Sequence, residues 1–205
     1  MVRRVMRELG LRCQIRVKKH NRQKASEQYV QDNILNQNFE TDAPNKVWLS
    51  DSTELSFGPN GEYKIRLSGV LDLYGRRLLS HHLSITETSA AEIEVFQRAF
   101  DSVGDVHPLI HTDRGAAYTS GAFNNFLGRY NVTRSMSRPG TPYDNAPMER
   151  WWNEFKLRWM DRHPMPNTFE ELAKLVEEGI EYFNHHNRSA QRNGLTPDEY
   201  CNEAA

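Results

Sequence analysis

The chain has 205 residues, enough for one ordinary domain with a small appendage. Its 38% hydrophobic residues support a core and its 26% charged residues a large polar surface. No apolar run approaches the roughly 18 residues of a membrane span. Two cysteines, Cys13 and Cys201, argue against a disulfide framework or a zinc motif. Met1-Val2-Arg3-Arg4 has no apolar signal region behind it, so a cytoplasmic protein is expected.

The net charge of −1 conceals an asymmetry. Residues 1–25 carry nine basic side chains and one acid, Glu8, which leaves 17 basic and 26 acidic residues for the rest. A basic arm on an acidic body suits phosphate contact through counterion release, and it equally suits a solvated tail.

Residues 1–12 read as the end of a helix, with Val2, Val5, Met6 and Leu9 at helical spacing and Gly10 as its stop. Residues 25–46 lack sustained periodicity and read as a linker closed by Pro44-Asn45. A first strand is expected over 47–57, followed by the hairpin signal Pro59-Asn60-Gly61. Tyr63, Ile65 and Leu67 alternate through a second strand reaching Asp72, and Tyr74-Gly75-Arg76 turns into a third, 78–85. Ser89-Ala90-Ala91-Glu92 matches a capping box for a helix burying Ile93, Phe96, Ala99 and Phe100. A short strand, 108–112, ends at Asp113. Ser120 caps a helix containing Phe123, Phe126, Leu127 and Tyr130, and a fifth strand spans 131–136. Ser137–Asp144 is a Pro- and Gly-bearing loop, read as mobile. A long helix follows over 145–162, and Thr168 caps a last long helix with Leu172, Leu175, Val176, Ile180 and Phe183 inward. Hairpins followed by strand–helix alternation predict an α/β fold, a five-stranded mixed sheet flanked by helices.

Three acids stand out. Asp51 lies mid-strand between apolar and hydroxyl residues, where an acid is costly to bury unless paired or bound to metal. Asp113 ends a strand, where ligands gather in open α/β sheets; alternatively it is a turn Asp beside Gly115. Glu149 follows Asp113 after 35 intervening residues, in the first turn of the long helix. Read alone, it is a solvated acid favoured by the helix dipole. Glu154 is a rival that falls off the stripe formed by Glu149, Asn153 and Lys156. Taken together, oxygen-only donors on separate elements suit hard divalent cations, and two such ions suit phosphodiester chemistry without a protein nucleophile. His111 reads as a hydrogen-bonded strand residue or an imidazole near the site, and the pairs His81-His82 and His185-His186 as structural or surface residues. Trp48, Trp151, Trp152 and Trp159 read mainly as core, with Trp151 a candidate to stack on a base.

Several motifs in register resemble the catalytic core of DDE transposases and retroviral-type integrases, above all the second-frame transposases of bacterial insertion sequences. They are Trp48-Leu49-Ser50-Asp51-Ser52-Thr53, His111-Thr112-Asp113-Arg114-Gly115, Ser137-Arg138-Pro139-Gly140 and Asp144-Asn145-Ala146-Pro147-Met148-Glu149. The 35-residue gap, the basic Lys156 seven positions after Glu149, and the tail Tyr182–Arg188 with Leu195-Thr196-Pro197 also match. The resemblance implies a ribonuclease H-like core over 47–200, with 201–205 a tail and 1–24 the remnant of a helix-turn-helix region. It implies Asp51, Asp113 and Glu149 as catalytic residues holding two Mg²⁺ or Mn²⁺ ions. Nicking at the element's 3′ ends and strand transfer into target DNA would follow. Lys156, Arg114, Arg138, Asn145, Arg150 and Asn153 would touch the DNA. Implied partners are double-stranded DNA, further copies of the chain on that DNA, and a first-frame transposase protein in a bacterial cytoplasm. The short N-terminal region also admits another expectation: a catalytically silent DNA-binding or dimerising regulator of a full-length transposase.

Overall fold

The protein is described by a computed structural model covering residues 29–204, so the basic arm, the helix expected over 1–12 and Cys13 lie outside the described residues. Five strands form one sheet in the order β3-β2-β1-β4-β5. They are β1 (Val47–Phe57), β2 (Tyr63–Asp72), β3 (Arg77–Ser84), β4 (Leu109–Thr112) and β5 (Thr133–Met136). β1, β2 and β3 are antiparallel neighbours, whereas β4 runs parallel to β1 and β5 parallel to β4. The helices are α1 (Ser89–Val103), α2 (Gly121–Leu127), α3 (Ala146–Arg158), α4 (Phe169–His185) and α5 (Pro197–Glu203).

The central strand is apolar on both faces at its start. Trp48 joins Phe96, Phe100, Phe123 and Ile110 beneath α1 and α2, while Leu49 joins Leu67, Met148, Trp152, Phe155 and Phe183 beneath α3 and α4. Each such fully buried side chain contributes about 1.5–3 kcal/mol through the area it removes from water. The continuous run Val47-Trp48-Leu49 thus marks a strand covered twice; Ser50 is still fully buried, and the covering thins at Asp51.

Helix boundaries differ from the sequence reading for local reasons. Thr88, not Ser89, caps α1, its hydroxyl accepting from the Ala91 amide; Glu92 is then free to point inward. The fifth strand starts at Thr133 because Asn131 takes a left-handed φ of 50° in the preceding turn. α3 stops at Arg158 instead of 162. Trp159 leaves helical geometry at φ −120°, ψ −66°, and its indole N–H donates to the Leu175 carbonyl of α4 at 2.9 Å. Gly179 makes room for that ring, since a Cβ there would lie 2.5 Å from it. α5 is additional to the two final helices expected. Thr196 and Glu199 close a reciprocal capping box with Pro197 in the first turn, a signal present in the sequence.

Residues 29–46 are irregular but held. The amides of Ile34 and Leu35 donate to Ser135 Oγ at 2.9 and 3.0 Å, and Leu35 is buried in the core under α3.

The tail motif also does structural work. The β2–β3 pairing slips between Val70 and Leu71, and Asn184 of α4 bonds both backbone groups of Leu78 there. Its carboxamide accepts from the Leu78 amide at 3.0 Å and donates to the Leu78 carbonyl at 2.9 Å. Replacing Asn184 with Ala orphans both groups, so a stability loss of about 1–3 kcal/mol is expected. Thermal unfolding should show the midpoint falling by several degrees; an unchanged midpoint would remove Asn184 from this role.

Candidate active site

The β1–β4 register builds the site's floor. Leu49 pairs with His111, so two further residues along each strand bring Asp51 level with Asp113 and with the same side-chain parity. Gly69 lies opposite Asp51 on β2, and the Trp152 ring of α3 comes within 3.1 Å of where a Cβ would stand. α3 therefore seats directly over this part of the sheet.

Asn145, immediately before α3, does not cap the helix with its side chain. Instead its Nδ2 donates to the Ser50 carbonyl at 3.3 Å, tying the helix start to the residue before Asp51. Glu149 follows in the first turn, where the helix dipole favours an acid. Asp51, Asp113 and Glu149 thereby line one cavity of about 500 Å³, with Arg114, Arg138 and Asn145 in its walls.

The electrostatics are those of a negative, half-dry site. Burial raises the Asp51 carboxyl to about 7, against some relief from the Ser52 backbone amide, and the charges of Asp113, Glu87 and Glu149 add to the rise. Burial also raises Asp113, although the Gly115 amide donates to its Oδ1 at 2.7 Å. The donor chemistry, all carboxylate oxygen, fits hard divalent cations, which would relieve this excess charge. Asn145 Oδ1, buried in the same cavity, has no hydrogen-bond partner among the described residues. As placed, however, no three His, Cys, Asp or Glu side chains among the described residues converge closely enough to grip one ion.

The surrounding loop is pinned, not loose. Asp144 is fully buried and accepts from the Arg138 amide at 2.9 Å, from both arms of its guanidinium at 3.0 and 2.7 Å, and from Gln37 at 2.7 Å. Arg138 and these further donors hold the Asp144 carboxyl far below the usual range. Arg114 Nε donates to the Ser137 carbonyl at 2.9 Å. His111 sits beneath the loop, outside the cavity lining. Ser135 Oγ accepts two backbone amides, so its hydroxyl proton is directed to His111 Nδ1; Nε2–H then donates to Ser137 Oγ at 3.0 Å. Burial lowers this imidazole to about 4, which keeps it neutral.

The remaining expected DNA contacts scatter. Asn153 and Lys156 line a separate recess with Glu54, although Lys156 still feels the Asp51 charge. Arg150 turns to a third cleft and pairs with Glu154 at 2.9 Å; that cleft also holds Glu154, away from the three acids. Trp151 is 93% buried against Phe155 and Phe183, so its ring is not free to stack on a base. His81 and His82 pair with Glu177 and Glu94 at 3.1 and 3.5 Å.

Two features escape sequence reasoning. Glu87 arrives from the β3–α1 connection, accepts from Ser52 at 3.1 Å, and raises both Asp51 and Asp113. Glu92, which matches a capping box by spacing, is instead fully buried and accepts from Ser68 at 2.6 Å and Tyr118 at 2.9 Å. Tyr118 in turn meets Ser50 at 3.1 Å, so a hydroxyl chain runs to the residue beside Asp51. No local spacing signals either contact.

Fold and site define a ribonuclease H-like core of the integrase type. Residues 41–142 and 130–197 match two family descriptions, both "Integrase core domain". The HTLV-2 integrase catalytic core in complex with magnesium superposes with TM-score 0.60 at 23% identity over 78% of this chain and 99% of that one. The BIV integrase core gives 0.59 at 15% identity over 78% and 95%. A putative transposase for insertion sequence element IS150 of Escherichia coli is 32% identical over 98% of this chain and 70% of its own length. The transposase of element IS904 of Lactococcus lactis is 33% identical over 87% and 68%. The chain belongs to the integrase-core family of insertion-sequence transposases.

Burial raises Glu92 to about 7, above its unfolded value of 4.5. Its contribution to stability is therefore full below pH 4.5 and is lost as pH rises through 7. Glu92→Gln should flatten that decline, because the Tyr118 hydroxyl can reverse and donate to Ser50. Urea midpoints at pH 5 and pH 8 test this; a decline equally steep in the variant would refute it.

Proposed function

We propose that the chain nicks the 3′ ends of an insertion element and joins them to target DNA, using Asp51, Asp113 and Glu149 to hold two Mg²⁺ or Mn²⁺ ions. The observation carrying this reading is that the three carboxylates, from β1, the end of β4 and the start of α3, line a single cavity. In the first reaction a water oxygen bonds to phosphorus and the P–O3′ bond breaks, freeing a 3′-hydroxyl on the element. In the second that hydroxyl bonds to a target phosphorus and a target 3′-oxygen leaves. Bound divalent ions would supply Lewis acidity to the attacking and leaving oxygens.

The protein's own part is positioning. The Leu49–His111 register extends to bring Asp51 of β1 level with Asp113, one residue past β4, and the Asn145–Ser50 bond sets the helix that carries Glu149. Asn145 Oδ1 offers an acceptor for the attacking water or hydroxyl. Arg114 and Arg138 sit in the wall facing the acids, where a phosphate needs positive partners; both are already oriented by Ser137 and Asp144. Lys156 and Asn153 would take DNA further along α3, and Arg150 on its other side. The substrate is double-stranded DNA, element ends and target, acted on by several copies of the chain, with a first-frame protein as a further partner.

Asp51→Asn, Asp113→Asn and Glu149→Gln should each reduce Mn²⁺-dependent nicking of element-end duplexes more than about a hundredfold. That exceeds the effect of groups that only orient metal ligands. Double variants should lose little more, since the three act as a unit. Undiminished nicking in any single variant would take that residue out of the site.

A further inference from the structure

The cleft that holds Arg150 lies across the first turn of α3 from the carboxylates. Ala146, Pro147 and Arg150 form one wall while Glu149, between them, belongs to the acidic cavity. The opposite wall comes from the chain between α4 and α5, including Arg188 and Arg192, and the β2–β3 turn contributes Arg76. With Arg158, five arginines line a space of about 540 Å³, against one lining acid, Glu154.

This concentration of positive charge stands on a body in which acids outnumber basic residues, so it is not a sample of the general surface. It is also under-neutralised. Glu154 serves both Arg150 and Arg158, at 2.9 and 3.5 Å, and Glu199 serves Arg188 at 2.7 Å. Arg192 is more than nine-tenths buried and, among the described residues, donates only to the backbone carbonyls of Asn187 and Leu195, at 2.7 and 3.4 Å. Arg76 Nη1 is buried with no hydrogen-bond partner among the described residues.

The backbone is arranged to put Arg76 there. It holds a left-handed φ of 60°, a conformation unfavourable for any residue with a Cβ. The preceding Gly75 lets α5 close on the turn, since a Cβ at that position would lie 2.4 Å from Cys201 Sγ. Burial and the neighbouring charges of Arg150 and Arg192 lower the Arg76 guanidinium to about 10, and the Asp72 charge only partly opposes them.

We infer that this cleft binds the phosphodiester backbone of DNA beside the catalytic cavity, with Arg76 and Arg192 at its floor and Arg150 and Arg158 at its lip. The inference rests on the reading that the chain acts on DNA. A phosphate chain fits better than an isolated anion. The lip arginines, Arg150 and Arg158, are about two turns apart on α3, and a duplex reaching Glu149 passes the first of those turns. Guanidinium forks match phosphate oxygens in pairs, and planar donors suit a ligand whose charges repeat.

The test is fluorescence anisotropy of the full chain with a labelled 30-base-pair duplex, over a range of salt. Arg150→Gln with Arg158→Gln, both at exposed positions, should weaken binding about tenfold and reduce the slope of log affinity against log salt by about two. Arg98→Gln with Lys174→Gln makes the same charge change on α1 and α4, away from the cleft, and should change the slope by less than half as much. Arg76→Gln should weaken binding as well, and the lip variants carry the test should it unfold. Equal effects in the lip and control pairs would overturn the inference, as would tighter binding of poly-glutamate than of DNA. Nicking read on the same samples separates the two readings. Cleft-dependent binding without nicking leaves the cleft standing and the catalytic assignment fallen. Nicking with unaltered binding in the lip variants does the reverse.

Discussion

The parallel pairing of β1 with β4 is the constraint on which the rest of the site depends. Parallel strands keep residues of equal offset side by side, so Leu49 opposite His111 commits Asp51 to lie beside Asp113. A slip of one residue would turn one of the two acids to the opposite face. Burial of Trp48 and Leu49 on opposite faces forbids that slip, because each would be exchanged into the wrong core. Core packing thus sets the level of two carboxylates that are themselves unfavourable to bring together.

Burying them is costly, and the cost is visible in the raised Asp51 and Asp113, with the Asp113 charge adding to the rise at Asp51. The surroundings offset it with fixed bonds instead of mobile charges. Asp144, His111 and Ser135 form a rigid frame in which the β5–α3 loop, residues 29–37 and the strand ends are joined by hydrogen bonds. The neutral imidazole matters here: a charged one would have to donate from both nitrogens, and Ser135 has no spare lone pair to accept. With this frame in place the start of α3 is tied to β1 by Asn145, and Glu149 follows in its first turn.

α3 then divides two electrostatic environments. Glu149 and Arg150 are consecutive, so a rotation of about 100° separates a cavity dominated by carboxylates from one dominated by guanidinium groups. Divalent cations suit the first and phosphates the second. A single helix presents both environments on adjacent stripes, as the proposed metal-assisted chemistry on DNA would require.

The sequence alone determined what depends on neighbours in the chain. Alternation marked the strands, apolar spacing marked α1, α3 and α4, Thr168 and Ser120 announced their helices, and the spacing of Asp51, Asp113 and Glu149 singled out the acids. It misplaced the cap of α1 and the end of α3, where Glu92 and Trp159 answer to distant partners, Ser68 with Tyr118 and Leu175. Only the tertiary structure decided that Glu87 stands near the acids, that residues 29–37 brace the Ser137–Asp144 loop and β5, and that arginines 76, 150, 158, 188 and 192 share one cleft. The reason is range. Periodicity and capping are written within a few residues, whereas burial, charge and orphaned hydrogen-bonding groups belong to surfaces assembled from segments far apart in the chain.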